Sequence, residues 1–208
     1  MALPIYTVPP TKGADIPQAE WRDAPVLADF CSPWVEGADP ATVFQALHSP
    51  TDFFFRFEVK SSPLYIYRGE GTKFDVLRSE RVEIFFRQDP GLKRYFGLEM
   101  DPEGRVYDYQ SSYYRQSDPS WGWPEGHLSL WPQVHAEGYT LSGRISKASL
   151  LALGLLRDGQ WLEAGLYRGH CTRLDGSEAV FQWYPWVDPQ TEKPDFHVPS
   201  SFGRLQLL

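Results

Sequence analysis

The residues of this chain best suited to hold a ligand are aromatic rings on braced loops. Trp121 and Trp123 lie in the run 120–124 (SWGWP), and Trp183 and Trp186 in the run 181–186 (FQWYPW). Gly or Pro interrupts both runs, which favours loop or strand-end positions over the middle of a buried helix. Tyr113, just upstream of the first pair, joins them as a candidate ligand-binding ring. A rigidly held ring is a platform for a flat apolar face, such as a sugar ring, a nucleobase or a partner side chain. The competing expectation is that these rings fill the core, because Trp is highly buried on average. Beside such a platform, Arg168, Glu83, Gln182 and Asp188 could supply the planar, bidentate groups that read hydroxyls.

The carboxylates allow other chemistry. Glu80 and Glu83 bracket one predicted strand start, and Glu99 and Asp101 end the next strand. Two carboxylates held across a sugar could hydrolyse a glycosidic bond, with Glu83 or Glu99 paired to Asp101. Clustered carboxylates and loop carbonyls could equally hold calcium. A third expectation is strand-edge pairing with Arg81, Arg87 or Arg105. Nucleophilic catalysis has little support: no GxSxG elbow is present, and the one adjacent pair, His170 and Cys171, would point to opposite faces of a strand. The five histidines match no zinc spacing, and no phosphate-binding glycine loop is present.

Composition narrows the partners. The chain has 208 residues, 42% hydrophobic and 15% aromatic, enough for one sizeable core. A formal charge of -7, with no basic run, argues against a general nucleic-acid or anionic-membrane surface. It leaves a neutral ligand such as a sugar open. Cys31 and Cys171 are widely separated and read as two free thiols. The N-terminus has no basic region or sustained apolar stretch, so no signal peptide is expected and the location reads as cytoplasmic. No segment approaches the roughly 20 apolar residues of a membrane helix.

Short alternating segments must position these groups. Residues 1–20, rich in proline, read as an extended arm, and residues 21–208 as a single domain. Strands are predicted at 42–48, 52–59, 80–87, 94–100 and 105–109, with residues 64–67 as a possible extra piece. The Asp89-Pro90-Gly91 and Asp101–Gly104 turns make the central strands an antiparallel meander. Residues 110–137 show little periodicity and read as a long functional loop. Further strands are predicted at 139–145, 161–168, 180–184 and 202–208, with one short helix at 146–156 capped by Ser146. The fold class is all-β, an antiparallel β-sandwich of immunoglobulin or jelly-roll type with one short helix.

The run 79–86 (SERVEIFF), then 95–101 (YFGLEMD) with Gly104 in the turn, resembles the central hairpin of family 9 carbohydrate-binding modules and their relatives. Those relatives show a D-x-V-E-x-F strand followed by a Y-Y-x-F-x-V-N…G strand. Trp21, the run 138–141 (GYTL), the run 166–168 (LYR) and the closing stretch from Trp186 to Gly203 add to the likeness, which covers nearly the whole chain from Trp21 onward. The resemblance implies a β-sandwich that binds sugars without catalysis, often beside a glycoside hydrolase or a sugar-uptake system. It implies a sugar end clamped between aromatic rings and read by carboxylate, amide and arginine groups. Trp183 or Trp186 then resembles the late platform, Glu83 the strand glutamate and Arg168 the late-strand arginine. Trp121 and Trp123 have no counterpart and rest on chemistry alone. Glu80 stands where the family usually has Asp, which bears on any inherited calcium ligand. A related sandwich family that binds haem suggests one more alternative, with Met100 as the axial ligand.

Overall fold

The computed structural model describes residues 3–12, 21–38 and 41–208. Its strands are β1 (Ile5–Val8), β2 (Thr42–His48), β3 (Asp52–Lys60), β4 (Arg81–Arg87), β5 (Tyr95–Met100), β6 (Val106–Ser112), β7 (Gln116–Asp118), β8 (Leu128–His135), β9 (Gly138–Ser146), β10 (Trp161–Asp175), β11 (Glu178–Pro185) and β12 (Gly203–Leu207). One short helix, α1 (Lys147–Ala152), follows β9. The larger sheet runs β1-β12-β10-β4-β5-β6-β7, with β11 paired to the far half of β10. The smaller sheet runs β2-β3-β9-β8. All pairings between named strands are antiparallel except β1 with β12. The chain is a two-sheet β-sandwich, as its alternating segments predict.

Alternation explains the core. Phe53, Phe55, Phe57 and Val59 of β3 face Val82, Ile84 and Phe86 of β4 across one continuous apolar cluster. The other face of β4 carries Arg81, Glu83, Phe85 and Arg87, and these are buried too. Chain returning after β11 covers that outer face. Phe196 stacks on Tyr167 at 4.1 Å, and Phe202, Phe85, Tyr95 and Tyr109 complete a second apolar cluster. The Tyr167 hydroxyl donates to the Ser201 carbonyl at 3.1 Å, and Arg87 pairs with Glu163 at 2.8 Å.

Four expectations change. Part of the predicted arm is strand β1, with Tyr6 and Val8 in the core; residues 1–2 and 13–20 of that arm lie outside the described residues. The predicted loop 110–137 holds the end of β6, all of β7 and the edge strand β8. Pro132 and the half-open faces of β8 mask its periodicity, since proline is tolerated at a sheet edge. Residues 64–67 form no strand. The helix is shorter than predicted but capped as expected: the Ser146 side chain accepts from the Ser149 amide, and Gly154, at φ +63°, lies just beyond its end.

Candidate functional site

The outer face of β4, β5 and β6 floors a cavity of about 330 Å³. Register places Glu83, Glu99 and Tyr107 in one row across the three strands, with Gly97 and Tyr109 in the next. Residue 97 must be small, because a Cβ there would lie 2.3 Å from the Tyr109 ring. Gly169 of β10 sits between Arg81 and Trp183 in the ladder. With no side chain between them, the Arg81 guanidinium lies 5.1 Å from the Trp183 ring and 4.9 Å from Phe181. Trp183 stacks along Phe181 and meets Phe196 edge-on. Its indole is therefore fixed before any ligand arrives.

The walls come from outside the sheet. Leu77 of a short 3-10 turn, Arg115 and Ser117 at the β6–β7 turn, and Pro194–His197 complete the lining. Arg115 pairs with Asp195 at 2.9 Å, and the Tyr114 hydroxyl donates to the same carboxylate at 2.5 Å. That cluster ties the β6–β7 turn to the C-terminal segment at the rim. A second, larger cavity of about 780 Å³ lies at one end of the smaller sheet, beside Arg56, Glu58, Lys60 and His135. Its single lining aromatic, Tyr139, is buried.

Electrostatics distinguish the first cavity. The Arg81 Nε donates to Glu83 Oε1 at 2.9 Å and lies 2.8 Å from Glu99 Oε2. One N–H cannot align with two acceptors, and Glu99 Oε2 accepts no directed hydrogen bond. The buried Tyr109 hydroxyl likewise makes no directed hydrogen bond, although it acts on the Glu99 carboxyl and offsets part of the effect of burial there. Burial and the neighbouring Glu99 charge push the Glu83 carboxyl up to about 8. Burial raises Glu99 as well. The pull of both carboxylates outweighs burial at Arg81 and keeps its guanidinium charged. Burial and the Arg115 charge push His197 down to about 4, so it is neutral at pH 7. The Tyr95 hydroxyl lies 2.7 Å from its Nδ1.

Of the sequence candidates, Glu83 and Trp183 line this cavity. Trp186 does not: its ring is buried in the core, over Gly203, where a Cβ would lie 2.6 Å from it. Trp123 is also core, against Phe86 and Phe96, with its Nε1 donating to Ser149 Oγ at 3.2 Å. Trp121 packs on Phe96 at 4.9 Å. Arg168 points to the inner face and is 1% exposed, its Nε donating to Glu80 Oε1 at 2.7 Å. Tyr113 is exposed beside the β6–β7 turn and does not line the cavity. Gln182 accepts from the Tyr184 hydroxyl, and Asp188 is an exposed turn residue.

Arg81, Tyr107, Tyr109, Arg115, Asp195 and His197 line the cavity and were not among the sequence candidates. Strand parity was the available signal for the first three, since residues on one face of a strand alternate. Glu99 lines the cavity, whereas Asp101 is buried in a turn and bound by Arg105. Met100 is buried in the core with no open space for haem beside it. Glu80, where a calcium ligand was in question, already engages Arg168, His170 and the Cys171 amide. Among the described residues no three His, Cys, Asp or Glu side chains cluster as a metal site. Cys31 and Cys171 are free thiols.

The model of the family "Carbohydrate family 9 binding domain-like" matches residues 14–208. The chain belongs to that family. Solved structures share the fold across the full length of this family 9-like chain. A candidate carbohydrate-binding protein from Bacteroides uniformis superposes with a TM-score of 0.73 at 14% identity, covering 100% of both chains. A family 9 carbohydrate-binding module from Caldicellulosiruptor kristjanssonii in complex with cellotriose gives 0.64 at 11% identity, over 98% of this chain and 93% of that one. A structure of a family 9 module from the same organism in complex with glucose gives 0.58 at 13% identity, over 99% and 96%. No curated protein sequence matches the chain. Among the described residues no helix is long and apolar enough to cross a membrane.

Proposed function

We propose that this protein binds a mono- or oligosaccharide, without cleaving it, in the cavity between Trp183 and the Arg81–Glu83–Glu99 floor. The observation that carries this reading is a fixed indole wall beside buried polar atoms, Glu99 Oε2 and the Tyr109 hydroxyl, that have no directed hydrogen bond. A sugar offers a flat C–H face to the indole and a rim of hydroxyls that can satisfy both. Family membership and the neighbours' glucose and cellotriose complexes support the ligand class. Binding without hydrolysis is favoured because Glu83 and Glu99 stand side by side on one sheet face and share one arginine. A glycosidase needs its two carboxyls to flank the scissile bond. A glycoside hydrolase or a sugar-uptake system is the functional setting we assign to such a module.

Calorimetry with glucose and cellotriose tests the reading. Trp183→Ala is expected to weaken binding by about 1–3 kcal/mol, the usual contribution of a stacking ring. Trp121→Ala is expected to leave affinity unchanged. Equal affinity of the folded Trp183→Ala variant and the parent would refute the platform, and steady release of reducing ends would refute the non-catalytic assignment.

A further inference from the structure

The geometry points to a preference for sugars that carry an ammonium group: amino sugars should bind more tightly than neutral hexoses, and uronic acids least well. This rests on the sugar-binding reading and adds the charge class of the ligand. The charged and titratable groups that line the cavity are Arg81, Glu83, Glu99, Tyr107, Tyr109, Arg115, Asp195 and His197. Arg115 and Asp195 neutralise each other at the rim, 2.9 Å apart. At the floor one guanidinium faces two buried carboxylates.

Arg81 cannot serve both fully. Its Nη1 is turned away toward the Leu77 carbonyl at 3.1 Å and the Ser79 carbonyl at 3.5 Å. Only Nε meets the carboxylates, and its one hydrogen points to Glu83. The floor therefore holds one negative charge more than its arginine offsets, in a place water reaches poorly. A proton can take up that charge, and burial of the pair favours it. A ligand ammonium does so with three donors, two of which Glu83 and Glu99 can accept. A neutral hydroxyl leaves the proton where it is. A ligand carboxylate adds a further negative charge to the same floor.

Binding then exchanges one proton for the ammonium: the proton leaves the Glu83–Glu99 pair for the buffer. Calorimetry at pH 7 on the full chain, with glucose, glucosamine, N-acetylglucosamine, glucuronate and cellotriose, decides the matter. We expect glucosamine to bind about tenfold more tightly than glucose or N-acetylglucosamine, the scale of one charge-assisted contact. Its enthalpy should vary with buffer ionisation as one released proton requires, and glucuronate should bind weakest. Glu99→Gln should bring the glucosamine-to-glucose ratio close to one, and Glu83→Gln repeats the test should the first variant not fold. Glucose or cellotriose binding with no advantage for glucosamine overturns this inference and leaves the sugar-binding reading standing. Failure of every sugar in the panel to bind overturns both.

Discussion

Folding stability should fall between pH 6.5 and 8, and Glu83→Gln should make the fall shallower. Burial and Glu99 raise the Glu83 carboxyl from 4.5 to about 8. Above pH 4.5 the folded chain therefore holds a proton that the unfolded chain has released. Stability then decreases with rising pH, by about 1.4 kcal/mol per unit, until the folded group ionises near 8. His197 acts with the opposite sign. Its imidazole moves from 6.5 down to about 4, so between those values the unfolded chain binds a proton that the folded chain lacks. Stability rises with pH across that window.

Between pH 4.5 and 6.5 the two slopes cancel. Above 6.5 the Glu83 slope alone remains of the two, and it acts over roughly 1.5 units for a loss of about 2 kcal/mol. Glu99 is also raised by burial, so its contribution has the same sign and deepens the fall. Urea unfolding at half-unit pH steps measures the effect directly. Glutamine keeps the side-chain shape, cannot ionise, and leaves Arg81 with one carboxylate. Two results would refute the reasoning: a parent stability that is level from pH 6.5 to 8, or a Glu83→Gln variant that falls as steeply as the parent.

Two further substitutions separate structure from site. Arg168→Ala strips Glu80 of its arginine in a fully buried pair, so unfolding free energy should drop by about 3–5 kcal/mol. Sugar affinity of the folded fraction should not change, because Arg168 faces the inner layer; a selective loss of affinity would restore it as a hydroxyl reader. Gly97→Ala places a Cβ 2.3 Å from the Tyr109 ring, which must move. Overpacking of this kind costs about 1–3 kcal/mol, and here thermal stability and sugar affinity should fall together.

The sandwich was legible because most strands alternate cleanly. Thr42–His48 reads from sequence with the bounds it has in the structure, and β4 differs by a single residue. β8 was not legible: its faces are half open and Pro132 interrupts it, so neither periodicity nor propensity marks it. The site was legible only in part. Chemistry and the family resemblance together favoured Glu83, Arg168, Trp183 and Trp186, and chemistry alone Trp121 and Trp123; burial then set Glu83 and Trp183 at the cavity and Trp186, Trp123 and Arg168 in the interior. Parity carries some of that distinction. Trp183 and Trp186 stand three positions apart, an odd spacing that sends them to opposite faces of an extended chain. By the same rule Trp186 shares the core side with Tyr184, and both belong to the central cluster.

What parity could not supply is the cover on the outer face. Arg81, Glu83, Phe85 and Arg87 read locally as a solvent-facing stripe, yet all four are buried. Burial of three charges on one strand requires partners from elsewhere in the chain. At the Phe85–Arg87 end those partners are supplied: Glu163 pairs with Arg87, the Pro199 carbonyl accepts from it, and Phe196 and Phe202 seal the rings. At the Arg81–Glu83 end the covering segment stops short at Asp195 and His197 and leaves a cavity. Protein groups satisfy the Arg87 half of the stripe, whereas at the other half Arg81 and Glu83 pair with each other beside Glu99 Oε2 and the Tyr109 hydroxyl of the neighbouring strands, which make no directed hydrogen bond. The sugar proposed for that cavity would present hydroxyls to those atoms and a flat apolar face to the Trp183 indole at its wall.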